Sequence, residues 1–239
     1  MTKEKIVKRY SLGLLGASTV ALLAVAALGS TAAQADSPQP TGADKTVTLH
    51  ANLTELNGSG AYGTATAVIR NQKIEHIEVH ASGLTPDAPH AQHVHYGNQA
   101  LNECPTLAQD ANGDGRLNTV EGVPAYGPVV VSLTATGDTT PASVLAVTRF
   151  PVSEDGGYAF SRDNIHITKV AGTGYSGPDG RGTAKEIADS IREGEGVVVI
   201  HGIDYNGNGM YDFSDEGASE LDPNLPAEAT DPTACGVLK

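Results

Sequence analysis

Tryptophan is absent from this sequence, phenylalanine occurs three times, and cysteine and methionine occur twice each in 239 residues. Positive charge is also scarce. Lysine and arginine number 15 against 28 aspartates and glutamates, a formal net charge of -13 at a sequence pI of about 4.9. That deficit argues against nucleic acid as a partner, because phosphates are met by basic patches, and it disfavours an anionic membrane surface. No Ser/His/Asp or Cys/His arrangement argues for hydrolysis, and there is neither an internal repeat at solenoid period nor a low-complexity tract. What is present is 39% hydrophobic and 18% charged residues, enough for one domain with a real core. With 28 glycines and 13 prolines, the composition suits short strands joined by tight turns better than long helices.

The first 35 residues read as a secretory signal. Lys3, Lys5, Lys8 and Arg9 precede an apolar run from Leu12 to Leu28, and Ala33-Gln34-Ala35 offers small residues for cleavage. Gly and Ser interrupt that run and no basic stop-transfer cluster follows, so the expectation is a secreted chain whose mature part is not embedded in a membrane. Losing four basic residues and Glu4 leaves a mature net charge of -16. Both cysteines, Cys104 and Cys235, lie in the exported part, where an oxidising compartment lets them pair.

Residues 36–45 form a lead without apolar period, and residues 46–239 read as one β-sandwich domain. Val47, Leu49, Ala51 and Leu53 alternate with polar residues, as a half-buried strand requires. Further strands are expected at 61–70, 73–81, 90–96, 127–134, 143–149, 158–161 and 164–170, each bounded by Gly, Pro or Asp. One short helix is expected near 183–192, where Thr183 and Glu186 make a capping box and Ile187 and Ile191 lie one turn apart. The run Gly196 to His201 is too apolar for an edge strand and is placed centrally. The fold class is therefore all-β, a Greek-key sandwich or barrel.

Six of the eight histidines fall between residues 50 and 95. In His90-Ala91-Gln92-His93-Val94-His95, positions i and i+2 of a strand share a face, so His93 and His95 present two imidazoles side by side while Val94 faces the core. Imidazole suits Cu, Zn, Fe and Ni, but a polar strand face explains two histidines equally well, and a third ligand is needed. His201 is the candidate. It shares a face with Val197 and Val199 at the end of an apolar strand, where it either binds a metal or is a hydrogen-bonded core histidine. His166 is expected exposed, and His50, His76 and His80 lie on polar strand sides.

Gly83-Leu84-Thr85, the 90–95 histidine strand, Cys104, the Val197–His201 strand and the terminal Ala234-Cys235-Gly236-Val237-Leu238 together resemble the copper/zinc superoxide dismutase pattern. The front half, a GL turn ahead of an H-x-H strand, is similar to CHRD domains, a secreted module. The resemblance spans roughly residues 46–104 and 196–238. It implies a dismutase-like sandwich, His93, His95 and His201 as copper ligands, His90 as a structural histidine, and a Cys104–Cys235 disulfide. Two departures matter. No histidine lies between Cys104 and His166, so the bridging and zinc-binding histidines have no counterpart and no zinc is expected. Pro232 stands where the family carries its substrate-guiding arginine, and without that cation an acidic surface repels superoxide.

Two stretches have calcium spacing. From Asp110 to Glu121, Asp110, Asn112 and Asp114 supply oxygens at positions 1, 3 and 5, Gly115 makes the turn, the Arg116 carbonyl is position 7, and Glu121 closes the loop with two oxygens. The second loop places Asp204, Asn206, Asn208, the Met210 carbonyl, Asp212 and Asp215 at the corresponding places, with a shorter acid at position 12 and two neutral amides inside. Each is either a calcium clip or a plain Asx-turn loop, and neither is expected to lie between two strong helices. Two functions of different class stay open: an extracellular binding or structural module whose histidines store metal or only pack, and a zinc-less copper superoxide dismutase. The missing arginine and zinc ligands favour the first.

Overall fold

The computed structural model describes residues 46–170, 182–214 and 216–239; the expected signal segment 1–35, the lead 36–45 and Asp215 lie outside them. Eight strands are present: β1 (Val47–Glu55), β2 (Tyr62–Arg70), β3 (Lys73–Ser82), β4 (Gln92–His95), β5 (Val129–Ser132), β6 (Gly157–His166), β7 (Val197–His201) and β8 (Pro232–Val237). They form one sheet in the order β5-β4-β7-β8-β1-β2-β3-β6, with every pairing antiparallel. The all-β expectation holds, and the sheet curls into a half-barrel. Its inner face carries the alternating residues Leu49, Ala51 and Leu53 of β1, Ala65, Ala67 and Ile69 of β2, and Val94, Val198 and Ile200 of the other half. On β3 the register shifts beside Ile69, so the inward residues Ile74 and Ile77 are three apart instead of two.

Where the sheet curls, side chains span the gap. Tyr158 of β6 donates from its hydroxyl to Gln92 Oε1 of β4 at 3.0 Å, and Arg162 donates to Thr134 Oγ1 at 2.8 Å and to the Gly137 carbonyl beyond β5. Strand β8 joins the two halves, pairing with β7 on one side and β1 on the other, and His50 and Lys239 exchange backbone hydrogen bonds of 2.8 and 2.9 Å just beyond it. Cys235 of β8 is bridged to Cys104, with Cα atoms 5.7 Å apart.

Strand β7 is buried on both faces, as an interior strand should be. Val198 and Ile200 enter the main core, while Val197 and Val199 pack on the opposite face with Leu56, Tyr126 and Cys235. That second face is covered by the chain between β4 and β5, including helix α1 (Thr119–Tyr126), and by the chain between β7 and β8, which ends in the single turn of α3 (Ala227–Thr230). The helix expected at 183–192 is α2 (Ala184–Ser190), started by the Thr183–Glu186 capping box and widened at its end over Ile191–Glu195.

Several expectations are corrected. Residues 143–149 are not a strand; they form two 3₁₀ turns, Pro141–Ser143 and Val147–Arg149, because Pro141 fixes a helical φ and Ser143 and Arg149 close the turns locally. The runs 158–161 and 164–170 are one strand, β6, which ends at His166. Helices α1 and α3 were not anticipated, and the first calcium-type loop runs straight into α1: Asn118 and Glu121 reciprocally cap it, which the acid's apparent role as a ligand concealed.

Candidate metal centre

The outward face of β4 and β7 carries three imidazoles. His93 lies opposite Val199 and His95 opposite Val197, and His201 follows two residues after Val199 on the same face. All three are buried, at 2%, 2% and 3% exposure. Their ring centroids are 5.2 to 6.2 Å apart, and one ring nitrogen from each lies within 4.8 Å of the others. Sequence spacing had brought the first two together; the sheet register adds the third.

Each ring has one nitrogen committed to a backbone carbonyl. His93 Nε2 faces the Val144 oxygen at 3.2 Å, His95 Nδ1 the Gly127 oxygen at 2.8 Å, and His201 Nδ1 the Thr230 oxygen at 2.7 Å. A carbonyl only accepts, so these nitrogens carry the protons, and the opposite nitrogens present lone pairs. Those lone pairs belong to His93 Nδ1, His95 Nε2 and His201 Nε2, which are buried and without a hydrogen-bond partner. Leaving a buried acceptor unsatisfied costs about 1–3 kcal/mol, and three that converge also repel one another. A cation at their centre removes both costs. Outward carbonyls fixing the tautomer are what a metal-binding histidine ordinarily has behind it.

Protonation cannot serve instead of a metal. Burial pushes the His95 ring down to about 3 and the His201 ring to about 4, and His93 falls well below its ordinary value through burial and the two neighbouring rings. The set is neutral near pH 7. His90 lies outside it: its Nδ1 is 2.9 Å from the His201 carbonyl and its Nε2 is 3.1 Å from the Thr85 carbonyl, so it packs against the backbone of β7's last residue. His166 is exposed, and His76 pairs with Asp163 and Glu78 on the surface.

Behind the centre, Thr119 Oγ1 donates to the same Thr230 carbonyl that receives His201, and the Tyr126 hydroxyl donates to the Thr119 carbonyl at 2.7 Å while its ring lies 4.4 Å from that of His95. The next residue, Asp231, is fully buried and bonded to Arg116 Nη1 at 2.5 Å and to the Tyr205 hydroxyl at 3.0 Å. Burial raises its carboxyl to about 7 against the pull of Arg116 and Tyr205. Arg116 belongs to the first calcium-type loop and Tyr205 to the second, so both loops are tied to the turn that holds His201.

The two loops share a hydrogen-bond pattern. Asp110 accepts from the Gly113 and Gly115 amides, as Asp204 does from Gly207, Asn208 and Gly209. Asn112 and Asp114 accept from the amides two residues on, as do Asn206 and Asn208. Glu121 turns back to the loop's start and accepts from Ala111 and Asn112. In the second loop Asp212 receives both amide side chains, from Asn206 and Asn208, and the exposed Met210 side chain leaves only its carbonyl for the interior.

No family model matches this chain, and a comparison with curated proteins finds no match. Geometry therefore carries the assignment. Sequence reasoning missed the acceptors behind the histidines and the cover in front, where Val144, Leu145 and Val147 from the 3₁₀ segment meet Val129 and Leu221. The i, i+3 spacing of Val144 and Val147 after Thr140-Pro141 was the available signal for helical turns there.

Proposed function

We propose that this chain is an exported β-sandwich module of the superoxide dismutase-like and CHRD kind, which holds copper on His93, His95 and His201 and calcium on its two Asx-rich loops, in a binding or structural role. The observation that carries the reading is the convergence of three buried, unpartnered imidazole nitrogens whose other nitrogens are fixed on carbonyls. An all-nitrogen set fits copper, which imidazole suits and which accepts three-coordinate geometry. Bound there, copper supplies a redox-capable, Lewis-acidic centre. The protein's own contribution is to keep the rings neutral, orient them and exclude water.

The dismutase reading receives no support from the surroundings. No residue lining the cavity before the histidines is charged, so no side chain there steers an anion inward. The disulfide accords with the exported reading. Copper titration of the metal-free protein should give about one equivalent bound per chain, lost in His95→Ala and in His201→Ala. Unchanged stoichiometry in both variants would remove these residues from the site.

A further inference from the structure

The cavity before the three histidines has a volume of about 30 Å³, and its cover is apolar: Val129, Val144, Leu145, Val147 and Leu221. Leu221 is 40% exposed and marks the mouth. Within, every side-chain polar hydrogen is already spent. The three ring N–H groups point outward to carbonyls, and both hydroxyls at the wall are engaged, Thr119 donating to the Thr230 carbonyl and Thr230 to Ser219 Oγ. An anion that approaches an ion held there therefore meets hydrocarbon on every other side, with no side-chain donor to replace the water it has lost.

From this we propose that the centre is built for a cuprous ion with one small neutral ligand, and that it turns anions away. The proposal rests on the copper reading above and adds the charge that the centre accepts. Three neutral imidazoles supply no compensating charge. The solvation lost on burial grows with the square of the charge, so a divalent ion loses about four times what a monovalent ion does. Asp231, the buried carboxylate next to Thr230, offers no relief because Arg116 already holds it at 2.5 Å. A monovalent ion that is content with three nitrogen ligands meets the site's terms. The whole cavity is of the order of one or two waters before an ion enters, so beside the ion it admits a diatomic molecule at most.

The test uses the mature protein loaded separately with cuprous and cupric copper. Competition against chelators specific for each valence should show cuprous affinity at least 100-fold above cupric. Carbon monoxide should bind the cuprous protein one to one, seen as an infrared band, while 10 mM azide leaves the cupric electronic spectrum unchanged. Leu221→Arg, which puts a cation at the mouth, should make that spectrum azide-sensitive per bound copper. If neither valence binds, the copper assignment falls and this inference with it. If copper binds but azide shifts the wild-type spectrum, or carbon monoxide finds no site, the copper assignment stands and the charge selectivity is overturned.

Discussion

Residue by residue, the centre is defined by where protons are not. Unfolded imidazoles titrate near 6.5, whereas the folded His95 and His201 rings titrate near 3 and 4, and His90 and His93 are lowered as well, burial being the main cause in each. Stability contributed by these neutral rings is full above 6.5 and is lost as pH falls toward 4, because the unfolded chain takes up protons that the folded one refuses. Asp231, raised to about 7 by burial, and His76, raised by its hydrogen bonds to Asp163 and Glu78, work in the opposite direction but are two groups against four. The metal-free protein should thus lose stability between pH 7 and pH 5, read as a falling urea midpoint. A constant midpoint would contradict neutral buried rings. His93 and His95 were legible from their two-residue spacing and His201 from its place on an apolar strand. The carbonyls of Gly127, Val144 and Thr230 were not, since every residue has one and only the tertiary path selects these.

At the level of elements, contacts between strands set the tolerances. A Cβ on Gly63 of β2 would come within 2.1 Å of the His80 carbonyl on β3, so Gly63→Ala should force the pair apart and cost about 2 kcal/mol, measured by thermal melting. An unshifted melting temperature would show that the strands do not approach so closely. The loop into α1 gives a second test. Calcium sites of extracellular modules bind at roughly 10⁻⁴ to 10⁻³ M, so 10 mM calcium should stabilise the protein by about 1–3 kcal/mol through mass action. Glu121→Gln should abolish most of that gain while keeping the helix start, because an amide oxygen still accepts from the Asn118 amide. Equal melting temperatures with calcium and with chelator would leave the loop a plain turn. Alternation revealed β1, β2 and β3 in the sequence with their ends within a residue or two. It failed at 143–149, where apolar residues serve a covering turn, and at α1, whose cap shares its residues with the calcium spacing.

Taken as a whole, the molecule closes through its last strand. The disulfide joins residues 131 apart, and confining so long a loop in the unfolded chain is worth roughly 4–5 kcal/mol on chain-entropy grounds. The Cys104→Ser, Cys235→Ser double variant should lose a large part of that in denaturant titration; a loss under 1 kcal/mol would place the bridge among ornaments of an already tight fold. The all-β class was readable from composition and alternation. The strand order was not, because nothing local in residues 232–237 tells that they pair with β1, some 180 residues earlier, as well as with β7. That placement has a consequence in time. A chain that emerges amino end first from a ribosome has β1, β2 and β3 available early, yet their sheet gains strand pairing to the histidine-bearing half only when β8 arrives. The ladder that joins the two halves is therefore the last part of the sheet to become available, and the full eight-strand order forms only once the carboxyl end is free.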